Sequence, residues 1–362
     1  MKAAVISLRS KSSLMIVKEM EKYFKVVDDI DLKNIEVNLG SESLEVLYEG
    51  KPFDTYDCIY LKGSFRYEPL LRSIATALYG KTYMPIKPVA FTVGHDKLLT
   101  QLDIQQHKIP MPTTYIAATI EAAKKILKKV NYPIVMKFPH GSHGKGVMFA
   151  DSYSSAASML DALAALRQPF IIQEYVESAG IDVRAIVVGD KVVAAMKRKA
   201  EFGEKRANIH AGGTGEPYEL DAHTKKLAIR AAEAIEADIC AVDILESVKG
   251  PTVIEINLSP GLQGITQATK INVADKIAKF LYMKAKESHE SGKEETTKDI
   301  LKEIGAEPSK EIITNLDFRG NRILLPEVIT NITKFAEKDE FSVKANKGKL
   351  FIKKFSVGEE KK

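Results

Sequence analysis

Through the first 90 residues, apolar runs of strand length alternate with segments of helical spacing. In order they read "AAVISL", "SLMIVKEMEKYF", "KVVDD", "YDCIYLKG" and "EPLLRSIATALYG". Gly80 is placed to end the last helix as a left-handed cap, and Glu49-Gly50-Lys51 predicts a hairpin turn. Strand and helix in alternation predict a small parallel-sheet α/β domain over 1–90. The two prolines of "YMPIKP" mark its boundary.

From His95 the pattern changes. "HDKLLTQLDIQQHKI" is helical, "PMP" breaks it, and "IEAAKKILKKV" resumes it. There follow "YPIVMKF", the glycine-rich "GSHGKG", "VMFAD", helical "SSAASMLDALAALR" and "FIIQEYV", which together predict a compact α+β unit over 91–176. In "DVRAIVVGDKVVAAMKRKA" two alternating runs meet at Gly189-Asp190, a hairpin signal. A long amphipathic helix near 220–237 leads to "CAVDILES", a turn expected at Lys249-Gly250-Pro251, and the run "VIEINLSPG", closing a unit over 177–285. Residues 286–309 are charged and poor in aromatics, the composition of a partly helical linker. Strand character returns from 310 to about 356.

Length changes this picture little, since 362 residues exceed one ordinary core and suit two or three packed subdomains. With 45% hydrophobic and 28% charged residues the composition is that of a globular protein. No apolar run has the length of a membrane span, and the apolar part of "MKAAVISLRS" is too short for a signal-peptide core. The two cysteines, Cys58 and Cys240, form neither a disulfide framework nor a zinc spacing, which points to a reduced, cytoplasmic protein. Charge is uneven: residues 310–362 carry 12 Lys+Arg against 8 Asp+Glu, so they hold +4 of the formal +5. A nucleic-acid groove over the whole body is excluded by that balance, and one at the C-terminus is not.

Candidate chemistry centres on "VIEINLSPG". Alternation along a strand puts Glu255 and Asn257 on one face, with Ile254 and Ile256 on the other. If "AVDIL" is the neighbouring strand, Asp243 joins them, and three oxygen donors on rigid strands suit Mg²⁺ beside a polyphosphate. The competing reading is that these are strand-end polar groups paired with nearby arginines. Gly141 to Gly146 expose successive backbone N–H groups, as phosphate-gripping loops do; a hairpin turn needing positive φ explains the same glycines. Lys137 within "IVMKF" must reach an anion or leave the core, and "IIQEYV" sets Gln173 and Glu174 in an apolar strand.

The stretch from "HDKL" to "SPGLQGI" resembles the ATP-grasp ligases, most closely the RimK-like group that joins glutamate or a similar amino acid to a carboxylate. Seven pieces follow the family's order: "DKLLTQ", "VMKFPHGSHGKGV", "IIQEYV", "DVRAIVVGDKVVAAMKRKA", "KRANIHAGG", "AVDIL" and "IEINLSPGL". The resemblance covers about residues 1–285, more weakly before 90, and implies an ATP-grasp fold. It implies that Lys97 and Lys137 contact the nucleotide phosphates, beneath a cover formed by Gly141, Ser142, His143, Gly144 and Gly146. Glu174 and Tyr175 match the segment that holds adenine, Asp182 a nucleotide-contacting position, and Arg206, Ala207 and Asn208 the segment at the triphosphate end. Asp243, Glu255 and Asn257 match the metal ligands. The implied cofactors are ATP and Mg²⁺, two ions, with Mn²⁺ as a substitute, and the implied reaction is ADP-forming amide ligation through an acylphosphate.

This chain departs from the RimK pattern at Lys197-Arg198-Lys199-Ala200, where Glu-Arg-Arg-Ala is usual, and at Ala211, where the family has arginine in His-Arg-Gly-Gly. Lysine does not reproduce arginine's bidentate fork. Arg184, Arg198 and Arg206 are left as the candidate catalytic cations for substrate carboxylates. In the tail, "LDFRGNRILLPEVI" and "AEKDEFSVKANKGKLFIKKF" resemble an AbrB-like swapped-hairpin module, with Asn321 between Gly320 and Arg322 as a departure. That resemblance implies a homo-oligomer, a dimer or a dimer of dimers, with DNA contact as the other use of such a module. A nucleotide- or metabolite-sensing DNA-binding regulator is accordingly the alternative to a ligase acting on an amino acid and a carboxylate acceptor.

Overall fold

In the computed structural model the described residues are 1–141, 146–199, 214–303, 315–320, 322–347 and 349–354, with backbone alone at 214 and over 291–303. The chain divides into two units, Met1–Glu295 and Thr296–Lys362.

The first unit begins with β1 (Lys2–Ser7), α1 (Lys11–Met20), β2 (Val26–Asp31), β3 (Ile35–Leu39), β4 (Leu44–Tyr48), β5 (Lys51–Pro52), β6 (Cys58–Leu61) and α2 (Glu68–Leu78). Strands β2-β1-β6 form the expected all-parallel sheet, and β1 and β6 are buried along nearly their whole length. This is why they read as unbroken apolar runs. The expected turn at Glu49-Gly50 joins β4 to β5 in a separate antiparallel sheet, β3-β4-β5. α1 starts where Ser10 accepts a hydrogen bond from the Ser13 N–H, so the β1–α1 turn is fixed by its own cap.

α3 (Pro88–His95) and α4 (Lys97–Gln106) lead into the central part. It comprises β7 (Thr114–Tyr115), α5 (Ile120–Leu127), β8 (Ile134–Lys137), β9 (Val147–Ala150), α6 (Tyr153–Ala165) and β10 (Ile171–Glu174). Its sheet has the order β7-β10-β8-β9 and its own small core, in which Leu127, Ile134, Met136, Leu160 and Ile172 are buried. Next come β11 (Ile181–Val188), β12 (Lys191–Lys199), β13 (Thr214–Pro217), α7 (Ala222–Ala234), β14 (Ile239–Ser247), β15 (Gly250–Asn257) and α8 (Gln263–Thr269). The sheet β13-β12-β11-β14-β15 is antiparallel throughout. Gly189, at φ +61°, turns the predicted β11–β12 hairpin.

Three local expectations change. Ser247 pairs with Gly250, so the turn is Val248-Lys249 and Pro251 already lies in β15, an edge strand where its missing N–H costs no ladder bond. Asp243 pairs with Glu255 and Ile244 with Val253, which leaves Ile254 as a bulge and breaks simple alternation there. The segment expected as a linker from 286 is helical through Glu303, because α9 spans Val273–Glu303 and is laced by pairs such as Lys286–Glu290.

The second unit contains hairpins β16 (Asp317–Arg319) with β17 (Arg322–Leu324) and β18 (Phe341–Asn346) with β19 (Lys349–Lys354), separated by α10 (Glu327–Thr333). Not one of its described residues is buried, and Phe318, Val343, Leu350 and Phe351 are all exposed.

One buried polar group stands out. Lys62, just beyond β6, is 3% exposed, and neither its Nζ nor the Tyr60 hydroxyl has a hydrogen-bond partner. Its Nζ lies 5.2 Å from the Tyr60 ring centroid. Burial alone pushes its pKa from 10.5 down to about 7. Between those values the unfolded chain holds a proton that the fold does not, so Lys62 makes stability rise with pH through that window. Lys62→Met preserves volume and is expected to stabilise the protein on the order of a few kcal/mol at pH 7, with the gain shrinking towards pH 10. Urea denaturation at both pH values checks this, and an equal gain at both would contradict it.

Candidate active site

A cleft of about 470 Å³ runs between the central sheet, the antiparallel sheet and the C-terminal end of the parallel sheet. On one wall stand Asp182 and Arg184 from β11, Arg198 from β12, Asp243 from β14, and Glu255 and Asn257 from β15. Register brings them together, since Asp182 pairs with Arg198, Arg184 with Asp243, Asp243 with Glu255, and Ala241 with Asn257. The strand geometry therefore delivers the predicted Asp243, Glu255 and Asn257 to one face.

Asp243 is occupied by arginine. Arg184 donates from Nε to Oδ1 and from Nη2 to Oδ2, both at 2.7 Å, and Arg198 Nη2 lies 2.9 Å from Oδ2. Arg198 also grips Asp182, at 2.5 and 2.7 Å. Burial works to raise the Asp243 pKa, yet the two guanidinium groups outweigh it and hold the carboxyl far below the usual range. At Asp182 burial wins over Arg198 and lifts the pKa to about 6. The arginine-paired reading of these acids and the shared-face reading thus both describe the ligand-free wall.

Opposite them are two lysines. Asp96 caps α4 by accepting from the N–H groups of Leu98 and Leu99, which sets Lys97 at the first helical position. Lys97 donates from Nζ to the Gly141 carbonyl at 3.0 Å and lies 3.9 Å from Glu255 Oε1. Burial pulls the Lys137 pKa down to about 8, with Glu255 resisting and Lys97 adding to the fall. Glu255 is the anion whose charge reaches Lys137, at longer range than an ion pair.

Gly141, Glu174 and Tyr175 line the same cleft. Beneath them Gln173 donates to Thr114 Oγ1 at 2.8 Å, and the Tyr115 hydroxyl donates to Glu174 at 3.3 Å. Gly146 follows the loop at φ +78°, and a Cβ there would fall 2.3 Å from the Phe138 ring. Ser142, His143, Gly144, Arg206, Ala207, Asn208 and Ala211 lie outside the described residues.

The sequence reading missed what the N-terminal domain brings. Ser10 and Ser12 from the β1–α1 turn and Gly63, Ser64 and Phe65 after β6 also line the cleft. They sit at the C-terminal ends of β1 and β6, where strand order reverses, the crevice in which parallel sheets bind ligands. Their signal was "LRSKSS" and "KGSF", short polar turns directly after apolar strands. The Gly63 N–H donates to Ser259 Oγ at 3.1 Å, and the Ser259 N–H to Asn257 Oδ1 at 2.9 Å. Two hydrogen bonds therefore tie this crevice to the end of β15.

Two carboxylates and a carboxamide form an all-oxygen donor set of the kind Mg²⁺ takes. No group of three or more His, Cys, Asp or Glu placed to hold a metal occurs among the described residues, so phosphate or water oxygens would have to complete the shell.

Solved structures share this arrangement of elements. The ATP-grasp ligase PsnB, complexed with minimal precursor, Mg and ADP, matches with a TM-score of 0.61 at 17% identity, over 79% of this chain and 98% of its own. D-alanine–D-alanine ligase from Bacillus anthracis, complexed with ATP, matches at 0.57 and 18%, over 80% and 99%. The fold is the ATP-grasp fold. The family model for the RimK-like ATP-grasp domain matches residues 94–281. A probable alpha-L-glutamate ligase of Aeromonas salmonicida is 33% identical over 293 residues, covering 79% of this chain and 97% of that protein. The chain belongs to the RimK-like ATP-grasp family of ADP-forming ligases that make C–N bonds.

Arg198 is the interior strut of the site. Its replacement by Met strands Asp182 and leaves Asp243 with Arg184 alone, so Arg198→Met is expected to cost about 3–5 kcal/mol in urea denaturation. Arg184→Met, which leaves Asp243 with Arg198, should cost clearly less; equal losses would contradict the assignment.

Proposed function

We propose that this protein adds L-glutamate, or an amino acid close to it, to a carboxylate-bearing acceptor, using ATP and passing through an acylphosphate. The observation that carries this reading is the juxtaposition, in one cleft, of Lys97 and Lys137 with Glu255, directly across the ladder from Asp243. The activity for which the relative from Aeromonas salmonicida is named, glutamate ligation, suggests the amino acid.

In this reading the acceptor carboxylate attacks the γ-phosphorus of ATP and releases ADP, and the amine of the amino acid then displaces phosphate to form the amide. Lys97 and Lys137 neutralise phosphate oxygens, and the loop from Gly141 to Gly146 covers them, with Ser142, His143 and Gly144 at its centre. Glu174 and Tyr175 hold the base, and Asp182 contacts the nucleotide. Arg206, Ala207 and Asn208 reach the triphosphate end, while Arg184 and Arg198 serve the substrate carboxylate. Asp243, Glu255 and Asn257 would hold Mg²⁺, two ions in the full complex or Mn²⁺ in their place, whose charge offsets that developing on the transferred phosphoryl group. The side chains need only position and neutralise, and none is consumed as a nucleophile.

The domain plan that goes with this reading is an α/β domain over 1–90, a central nucleotide-covering part over 91–176, a metal-bearing part over 177–285, a charged connector over 286–309 and an AbrB-like module over 310–356. That module's hairpins expose their apolar residues. Isolated two-stranded hairpins are marginal in water, and a second copy of the same module is the simplest symmetric cover. A basic surplus of four charges is small for a DNA reader. No helix among the described residues is long and apolar enough to cross a membrane, and cytoplasmic residence fits the free, buried cysteines.

Glu255→Gln should fold normally, Asp243→Asn should fold with a loss of stability from its under-paired arginines, and each should lose at least a hundredfold in turnover; substantial Mg²⁺-dependent activity in either removes the metal assignment. Light scattering of the full chain should give a dimer or tetramer, reduced to monomer by Phe318→Ser with Phe351→Ser. A monomeric wild type, or a steep salt dependence of binding to random duplex DNA, would favour the sensing alternative.

A further inference from the structure

The charged groups that line the cleft face one another. Asp182 and Asp243 are matched by Arg198 and Arg184, and Glu255 faces Lys97 and Lys137. Asp243 accepts a hydrogen bond from Arg184 on each oxygen, and Arg198 Nη2 forms an ion pair with its Oδ2 at 2.9 Å. A carboxylate offers about four lone-pair positions, so little of Asp243 is left for a cation. Guanidinium groups within 3 Å of its oxygens would also repel one.

The two arginines differ in how firmly they are held. Arg198 has a second bidentate partner in Asp182, and its side chain is 6% exposed. Among the described residues the Arg184 side chain hydrogen-bonds to Asp243 alone, is 17% exposed, and lines the cleft. If Asp243 is to be shared, Arg184 is the group that yields.

Building on the ligase reading, we infer that Arg184 is an exchangeable cation: it neutralises Asp243 as long as no divalent ion takes that carboxylate, and turns to a substrate carboxylate when one does. An arginine fork released in a partly buried cleft matches a carboxylate bidentately, so the pairing it loses is replaced in kind. Loading with metal and nucleotide thereby creates the carboxylate subsite, and the two binding events are positively coupled. By reciprocity a bound carboxylate, by holding Arg184 away, also tightens metal binding. The carboxylate can belong to the incoming amino acid or to the acceptor.

The test uses the full-length protein, Mn²⁺ or Mg²⁺, the non-hydrolysable analogue AMPPNP, and two probes: L-glutamate, and glutarate, which lacks an amine. Calorimetry should show the wild type binding at least one probe about tenfold more tightly when loaded with Mg²⁺ and AMPPNP than without them. Arg184→Met should lose that dependence, and Arg184→Lys keep part of it. Electron paramagnetic resonance should show Arg184→Met binding Mn²⁺ in the AMPPNP complex several-fold more tightly than the wild type. Coupling with L-glutamate alone assigns the carboxylate to the amino acid, and coupling with glutarate assigns it to the acceptor. Weaker Mn²⁺ binding in Arg184→Met overturns the proposal, since Arg184 would then be holding Asp243 in place for the metal. Unchanged affinity of the wild type for both probes on loading also overturns it, without relying on any variant. Failure of the wild type to bind AMPPNP at all overturns instead the ligase reading on which the proposal rests.

Discussion

The chain of ion pairs Asp182–Arg198–Asp243–Arg184 crosses three neighbouring strands, and the geometry of the cleft depends on it. Charges buried this deeply are expensive, and they are tolerated only where each is met by bidentate hydrogen bonds. That condition is satisfied in one register of β12, β11 and β14, with Asp182 opposite Arg198 and Arg184 opposite Asp243. A slip of one residue would turn these charges into the core and the apolar set outward. The pairs therefore fix the register, and the register carries Glu255 and Asn257 to the same face.

A second constraint joins the pieces into one site. The segment after β15, "NLSPGLQ", is bound to the parallel-sheet domain by the Gly63–Ser259 hydrogen bond and by Ser12, which accepts from the Leu262 N–H and donates to Gln263. The end of the strand with the oxygen donors is thus tied to the switch point of the parallel sheet. A ligase must hold three reactants in line, and effective concentration in a preformed cleft is the largest service such a site can give. Lys97 and Lys137, the oxygen donors and the N-terminal crevice share one cavity because these short links hold their parent elements together.

Much of this was legible in the sequence because it follows period and turn chemistry. The parallel sheet, the Gly189-Asp190 hairpin, the helix after residue 220 and the shared face of Glu255 and Asn257 all follow from local pattern. Pairing across strands is not local, and there the reading was incomplete. Nothing in "AVDIL" or "DVRAIVV" by itself says that Asp243 will meet Arg184, because 59 residues separate them in the chain. The bulge at Ile254 and the displaced turn before Gly250 are register effects of the same kind. The crevice residues Ser10, Ser12 and Gly63 to Phe65 looked like ordinary turns, and only strand order gives them a role. Helical continuation past residue 286 rests on pairs such as Lys286 with Glu290, whose composition reads equally well as a solvated linker.

The most direct measurement is the fate of ATP. Purified protein incubated with Mg-ATP, each amino acid in turn and a fractionated cell extract should form ADP and phosphate only when an amino acid, foremost L-glutamate, and one acceptor-bearing fraction are both present. The product should be heavier than the acceptor by one or more amino-acid residues. Formation of AMP and pyrophosphate in place of ADP would contradict the acylphosphate account, and ATP turnover independent of any amine would contradict ligation.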